Sequence, residues 1–425
     1  MTAPAKFCVG EWRPEDQALF AEWMRSLGEH AAAHPAPLLP PVLALRECVA
    51  RSPRLSALVA GMFEQLPAAP PCDCDPTGRP QARSFAQALQ MISVALGRPP
   101  EFNQTGITGL PVNAIVDWLM PTQSGHEFFL DQEVNRCLKG ILDYWGAYLT
   151  TAASLPALSE EPHKGWFGAD AMKNMPHFDE EFECDPALPY RGFTSWDNFF
   201  TRRFRAGQRP VAGVEDDAVI VNACESAPYR LARDVKLDDR FWIKAQPYAL
   251  RRMLAGDELA PRFDGGTVYQ AFLSSFSYHR WHSPVSGRIV KAYVVEGSYY
   301  SSCIEEGLDP CGPRQSQAYI AQVATRALVF IEADNADIGL MCFMAVGMAE
   351  VSGCDIAVGE GDRVVKGQEI GMFHFGGSTH CLVFRPETEL DFDLRGRTPG
   401  LDTEKIKLCE RIATVRRRTV ASPKV

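Results

Sequence analysis

The sequence predicts an α+β protein, with a helical domain over residues 1–186 and a mainly antiparallel β core over residues 187–425. Up to about Pro186, apolar residues recur at the spacing of amphipathic helices. From Ala218 onward, short β-rich runs alternate with clusters of Gly, Pro, Asp and Ser, without the helical intervals that βαβ units need. At 425 residues the chain is also too long for one small core, so two domains are expected.

The elements follow in order. Leu19, Phe20, Trp23, Met24 and Leu27 share one helical face behind Pro14-Glu15-Asp16, which suits a helix start. Pro35, Pro37, Pro40 and Pro41 then interrupt the chain before a second apolar-periodic stretch from Val42 to Leu66. Pro67, Pro70, Pro71 and Pro76 mark an exposed loop, and a helix is expected from about Ser84 to Leu96. Asp131 is a good N-cap for a helix whose stripe of Val134, Leu138, Leu142, Trp145 and Leu149 reads as core. The segment from Phe193 to Arg205 reads as a compact surface helix ending in solvated Arg202, Arg203 and Arg205. Strands are expected at 218–221, 288–295 and 327–331. The stretch from Val358 to Gly371 alternates apolar residues around Gly361-Asp362 and reads as a β-hairpin.

Bulk properties narrow the function. Hydrophobic content of 46% and charged content of 23% are those of a soluble globular protein. No apolar run approaches the ~18 residues of a membrane span. The net charge of −10 argues against nucleic acid or an anionic membrane as main partner. Met1-Thr2-Ala3-Pro4-Ala5-Lys6 shows no secretory pattern, so a cytoplasmic location with 13 reduced cysteines is expected. Cys72-Asp73-Cys74 lacks a partner pair at zinc-finger spacing and reads as a loop.

Three stretches carry candidate chemistry. Phe373-His374-Phe375-Gly376-Gly377-Ser378-Thr379-His380 sets two glycines before a hydroxyl pair. Glycine admits backbone geometries that expose a carbonyl to a neighbouring nucleophile, although a plain turn between strands has the same composition. Tyr278-His279-Arg280-Trp281-His282-Ser283-Pro284 holds two histidines, which Ser283-Pro284 places in an extended segment or a turn, with their side chains on different sides. Nothing in the spacing selects Glu225, Asp334 or Asp337 as a third metal ligand, and no metal is expected. Glu225, in Asn222-Ala223-Cys224-Glu225-Ser226 after a strand-like run, can orient a histidine as the third member of a triad.

Together these stretches resemble the phosphatidylserine decarboxylases, which make a pyruvoyl cofactor from their own backbone. The resemblance rests on Phe199-Phe200-Thr201-Arg202-Arg203-Phe204-Arg205 with Arg209-Pro210, on the two-histidine segment, and on Gly376-Gly377-Ser378-Thr379 behind Lys366-Gly367-Gln368-Glu369-Ile370-Gly371. Gly109-Leu110-Pro111-Val112, Asp143-Tyr144-Trp145-Gly146 and Lys164-Gly165-Trp166-Phe167 are similar to a fungal and bacterial branch with a long helical N-terminal domain, which includes tryptophan decarboxylases. Glu225-Ser226 departs from the aspartate-glycine usual in the phospholipid enzymes, and His380 has no counterpart.

The resemblance implies a β core of phosphatidylserine decarboxylase type that cleaves itself at Gly377–Ser378 into chains 1–377 and 378–425, which stay associated. His282, held by Glu225, would take the Ser378 proton, and Ser378 would become the pyruvoyl group that forms a Schiff base with substrate. His279 or His282 would return a proton after CO2 leaves. Neither pyridoxal phosphate nor a metal is required. Trp281, His374, Phe375 and His380 are candidate substrate contacts. The expected reaction is decarboxylation of an aromatic L-amino acid, foremost L-tryptophan to tryptamine. Phosphatidylserine, with Arg202, Arg203 and Arg205 facing its phosphate, is the second reading. A non-catalytic biotinyl- or lipoyl-like carrier around Lys366 is the third, weakened by missing flanking residues. Whether copies form a homo-oligomer stays open.

Overall fold

The computed structural model describes residues 17–65, 82–102, 110–117, 119–238, 248–302, 316–350, 353–375, 378–400 and 403–417, with side chains from Glu22 onward. Pro14-Glu15-Asp16, the loop after Leu66, Gly109 and the Gly376–Gly377 pair lie outside the described residues.

The first half is helical: α1 (Gln17–Ala33), α2 (Pro40–Arg51), α3 (Pro53–Gln65), α4 (Phe85–Ala95), α5 (Pro111–Val116), α6 (Gln123–Leu130) and α7 (Gln132–Leu149). The stretch expected to run unbroken from Val42 is two helices. Pro53 disfavours helical geometry at Ser52, which is extended (φ −114°, ψ 109°), and Ser52 Oγ then accepts from Leu55 N–H. Ser84 caps α4, and Asp131 caps α7 by accepting from the backbone N–H groups of Glu133 and Val134. Val134, Leu138, Ile141, Trp145 and Leu149 bury the inner stripe of α7, while Leu142 is half-buried.

Short helices α8 (Ala169–Lys173), α9 (Phe178–Glu181) and α10 (Trp196–Phe200) follow. The expected surface helix at 193–205 is instead α10 within an aromatic cluster. Trp196 lies 5.7 Å from Trp166, and Phe199 lies 5.3 Å from Phe167. Arg202 is buried, donating to the carbonyls of Phe276 and Ser277 with its guanidinium 4.5 Å from the Phe182 ring.

The second half is built from β1 (Val219–Val221), β2 (Ala227–Val235), β3 (Gly266–Leu273), β4 (Arg280–His282), β5 (Gly287–Val295), β6 (Arg326–Ala333), β7 (Leu340–Gly347), β8 (Gly353–Ile356), β9 (Arg363–Val364), β10 (Glu369–His374), β11 (Ser378–Phe384), β12 (Leu390–Phe392) and β13 (Arg411–Val415). The main sheet has the order β2-β3-β11-β7-β6-β5-β9, flanked by sheets β4-β10-β8 and β1-β13-β12. Pairing between these strands is antiparallel throughout.

Strand periodicity divides the main sheet between two cores. Phe343 of β7 and Leu382 of β11 join the core shared with the helical half. Met344 and Val383 face the other core, which includes α11 (Leu250–Met253) and α12 (Gln317–Val323). Ser378 and His380, at even spacing from Leu382, therefore point toward the helical half.

The segment read as a hairpin between Val358 and Gly371 is not closed on itself. β10 pairs with β8, and β9 crosses to β5. The alternation marked strands correctly but did not reveal their partners, which are fixed by contacts distant in sequence.

Candidate active site

Ser378 is the first residue of β11, a central strand, and its backbone faces Leu273 of β3 on one side and Gly347 of β7 on the other. The residue is fully buried, and its Oγ has no hydrogen-bond partner among the described residues. A buried hydroxyl without a partner is costly, so its retention here calls for a use.

The chain reaches Ser378 through Phe375, which takes a left-handed φ of 62°. A non-glycine residue there costs ~1–2 kcal/mol. Aromatic packing holds it: the ring sits 4.4 Å from Trp145 of α7 and 4.6 Å from Trp196 of α10, both edge-on. Beside it opens a cleft of about 470 Å³, with Leu142, Trp145, Tyr299 and Phe375 among its apolar and aromatic lining and His374 and Glu350 among its polar lining. That volume suits a ligand of amino-acid to drug size. The stripe of α7 is thus core at Val134 and Leu138 and also cleft wall at Leu142, Trp145 and Leu149.

The two histidines of the 278–284 segment face different surroundings, as expected for extended chain. His279 is buried with its ring stacked on Phe200 at 3.9 Å. Phe200 also lies 6.1 Å from Phe375, which puts His279 on the Ser378 side. His282 sits across from Glu369 at the far end of β10. Its Nδ1 is 2.7 Å from the Gly367 carbonyl, so Nδ1 carries the proton and Nε2 accepts from the Tyr278 hydroxyl at 3.0 Å. Burial holds the His282 pKa below its ordinary value.

The expected Glu225–His282 hydrogen bond is not formed. Glu225 is buried and gripped by the Arg209 fork, Nε to Oε2 at 3.0 Å and Nη2 to Oε1 at 2.8 Å, and Oε2 also accepts from Leu408 N–H. A planar guanidinium satisfies both carboxylate oxygens at once, which a single imidazole N–H does not. The two segments still adjoin, since His282 N–H donates to the Ala223 carbonyl.

The remaining candidates separate. His374 lines the cleft, and its hydrogen bond to Asp197 (3.0 Å) leads the causes that raise its pKa. Trp281 is fully buried against Phe373 and Phe343, away from the cleft lining. A Cβ at Gly371 would lie 2.6 Å from its ring, which explains that glycine. His380 is buried over Phe343, and desolvation pushes its pKa down to about 3, so it stays neutral. Among the described residues, no group of three or more His, Cys, Asp or Glu is arranged to hold a metal.

Sequence reasoning passed over Glu350. The only signal was a lone charge closing the apolar run that begins at Leu340. The residue is buried, and its Oε1 accepts from Val112 N–H at 2.7 Å and Asn113 N–H at 2.9 Å.

Comparison with known proteins identifies the family. A family model described as phosphatidylserine decarboxylase matches residues 196–414, and a second of the same description matches residues 39–175. The decarboxylase iboD of Amanita muscaria is 45% identical over 67% of this chain and 86% of its own length. An L-tryptophan decarboxylase of Psilocybe cubensis is 32% identical over 93% of each chain. Phosphatidylserine decarboxylase proenzyme 3 of Schizosaccharomyces pombe is 30% identical over 53% of this chain and 22% of its own length. The chain belongs to the phosphatidylserine decarboxylase family and is a decarboxylase, a carboxy-lyase.

Proposed function

We propose that the chain is a self-cleaving, pyruvoyl-dependent decarboxylase of a free aromatic L-amino acid, foremost L-tryptophan, acting in the cytoplasm. The observation that carries this is the buried, partnerless Ser378 hydroxyl opening a central strand three residues after Phe375, which itself lines an aromatic cleft. The names of relatives, two of them L-tryptophan decarboxylases and others proenzymes, support the same reading. Among the described residues no helix is long and apolar enough to cross a membrane.

In the cleavage step Ser378 Oγ attacks the Gly377 carbonyl carbon, and the peptide C–N bond gives way to an ester. Elimination from Ser378 releases the Gly377 carboxylate. Hydrolysis of the resulting enamine expels ammonia and leaves a terminal pyruvoyl group on a chain of residues 378–425. That group supplies a ketone that condenses with an amine and an adjacent amide carbonyl that accepts electrons as CO2 departs.

The chain's own residues do the rest. His282 is the proposed base for Ser378, a role that rests on the resemblance, since the ring stands at the far end of β10. Its lowered pKa keeps it neutral, although the Tyr278 hydroxyl must first leave Nε2. His279, stacked on Phe200 beside Phe375, is the proposed proton carrier in turnover. Glu225 acts by holding Arg209 and Leu408 around the His282 segment. Trp145 and Phe375 present an aromatic wall, and His374 with Asp197 a polar one. Residues 1–186 and 187–425 are the proposed domains.

Phosphatidylserine is the second reading, favoured by the family alone. Arg202 and Arg205 donate to backbone carbonyls and Arg203 pairs with Glu369, so none of the three is arranged as a phosphate clamp. L-tryptophan and phosphatidylserine offered side by side to the purified enzyme, with released CO2 measured, test the choice. Turnover of the lipid alone would overturn it.

A further inference from the structure

Next to the cleft, four buried side chains carry polar atoms that find no partner among the described residues. They are Oε2 of Glu350, both side-chain amide atoms of Asn113, the hydroxyl of Tyr300 and Oγ of Ser298. All four residues are at most 4% exposed. They belong together in space. Asn113 N–H donates to Glu350, and Asn113, Ser298 and Tyr300 line one small pocket. Tyr299 lines both that pocket and the cleft, and Glu350 lines the cleft itself. The cluster sits at the Ser378 end of the sheet, because Gly347 pairs with Ser378 and Glu350 follows three residues later.

A native interior satisfies nearly all its buried polar groups, and each one left bare costs about 1–3 kcal/mol. Several bare groups in one place, of both donor and acceptor type, mark a site made for a polar ligand group. Neighbouring Trp145 and Phe375 are apolar, so a ligand reaching the cluster from the cleft presents a flat aromatic body with a polar edge.

We propose that Glu350, with Asn113, Tyr300 and Ser298, forms a polar subsite that binds the N–H edge of a heteroaromatic amino-acid side chain and sets specificity against hydrocarbon rings. The proposal rests on the cleft being the substrate site. Glu350 Oε1 is fixed by two backbone N–H groups, which leaves Oε2 as the acceptor for the ring N–H. Asn113, Tyr300 and Ser298 stand behind it around the adjoining small pocket. A site built to bond an N–H rejects an isostere lacking it far more strongly than an apolar pocket rejects a size mismatch.

The test uses purified wild-type protein and two probes that lack both amine and carboxylate, indole and its isostere 1-benzothiophene. Binding is measured by calorimetry, and the E350Q variant is compared. Gln retains an oxygen for the Val112 and Asn113 N–H groups but turns the other atom from acceptor to donor. Wild type should prefer indole by at least about tenfold, and E350Q should lose that preference. Equal binding of both probes by wild type, or an unchanged preference in E350Q, overturns the proposal. If E350Q does not fold, Tyr300→Phe carries the same comparison, with a weakened indole preference expected and an unchanged one contradicting. CO2 release from L-tryptophan by wild type is followed in parallel. Its absence would sink the L-tryptophan reading, whereas turnover without the indole preference would sink only the subsite.

Discussion

Phe375, the last described residue before the glycine pair, packs edge-on against Trp145 of α7 at 4.4 Å. A helix from the first half of the chain thereby sets the approach to Ser378. The left-handed backbone at Phe375 is held by that packing rather than by local preference.

Replacing Trp145 with Ala should therefore do two things. It empties a buried site and leaves the Arg98 carbonyl without its indole donor, costing about 3–5 kcal/mol in a urea titration. It also frees Phe375, so the cleaved fraction of the purified protein should fall. Loss of stability with full cleavage would mean that α7 supports the fold but not the site.

The two histidines should separate in function. His282→Gln should block self-cleavage and leave an intact chain on a denaturing gel. His279→Gln should still cleave but lose about 10²–10⁴-fold in kcat, the range for a proton-transfer group. The reverse pattern would exchange their roles.

Arg209 and Glu225 form a bidentate pair, both nearly buried at 6% and 2% side-chain exposure. Removing the guanidinium leaves the buried Glu225 carboxylate with only the Leu408 N–H and Lys405 at 3.8 Å. Arg209→Ala should cost about 3–5 kcal/mol in chemical denaturation. A loss below about 1 kcal/mol, typical of exposed pairs, would show that the pair is not sealed from water.

The hydrogen bond to Asp197 chiefly raises the His374 pKa. A raised pKa in the folded state gives stability that is complete below the unfolded value, about 6.5, and is lost as pH rises through the folded value. Asp197→Asn should therefore be less stable than wild type in mild acid, with the gap closing as pH rises past that range. Because the pair is partly exposed, the gap should stay near or below about 1 kcal/mol. A gap that widens with rising pH would contradict the assignment.

Local signals in the sequence were enough for the α+β class, the helix that starts near Ser84, and the cap at Asp131. Each depends on residues close together in the chain. What stayed hidden depends on contacts distant in sequence. Arg202 looked solvated because its carbonyl partners at Phe276 and Ser277 lie far along the chain. Glu225 was matched to a histidine because both types fit a triad, while Arg209 makes the tighter fork. Glu350, Asn113, Tyr300 and Ser298 share no motif, and only folding brings them together.

The central claim is that Ser378 becomes the reactive terminus. Denaturing mass spectrometry of active enzyme, beside Ser378→Ala, tests it most directly. Two chains meeting at the Gly377–Ser378 junction are predicted, the shorter beginning with a carbonyl in place of an amine, and Ser378→Ala should remain one inactive chain of 47.0 kDa. Decarboxylating activity from an intact single chain, or from Ser378→Ala, would contradict the account.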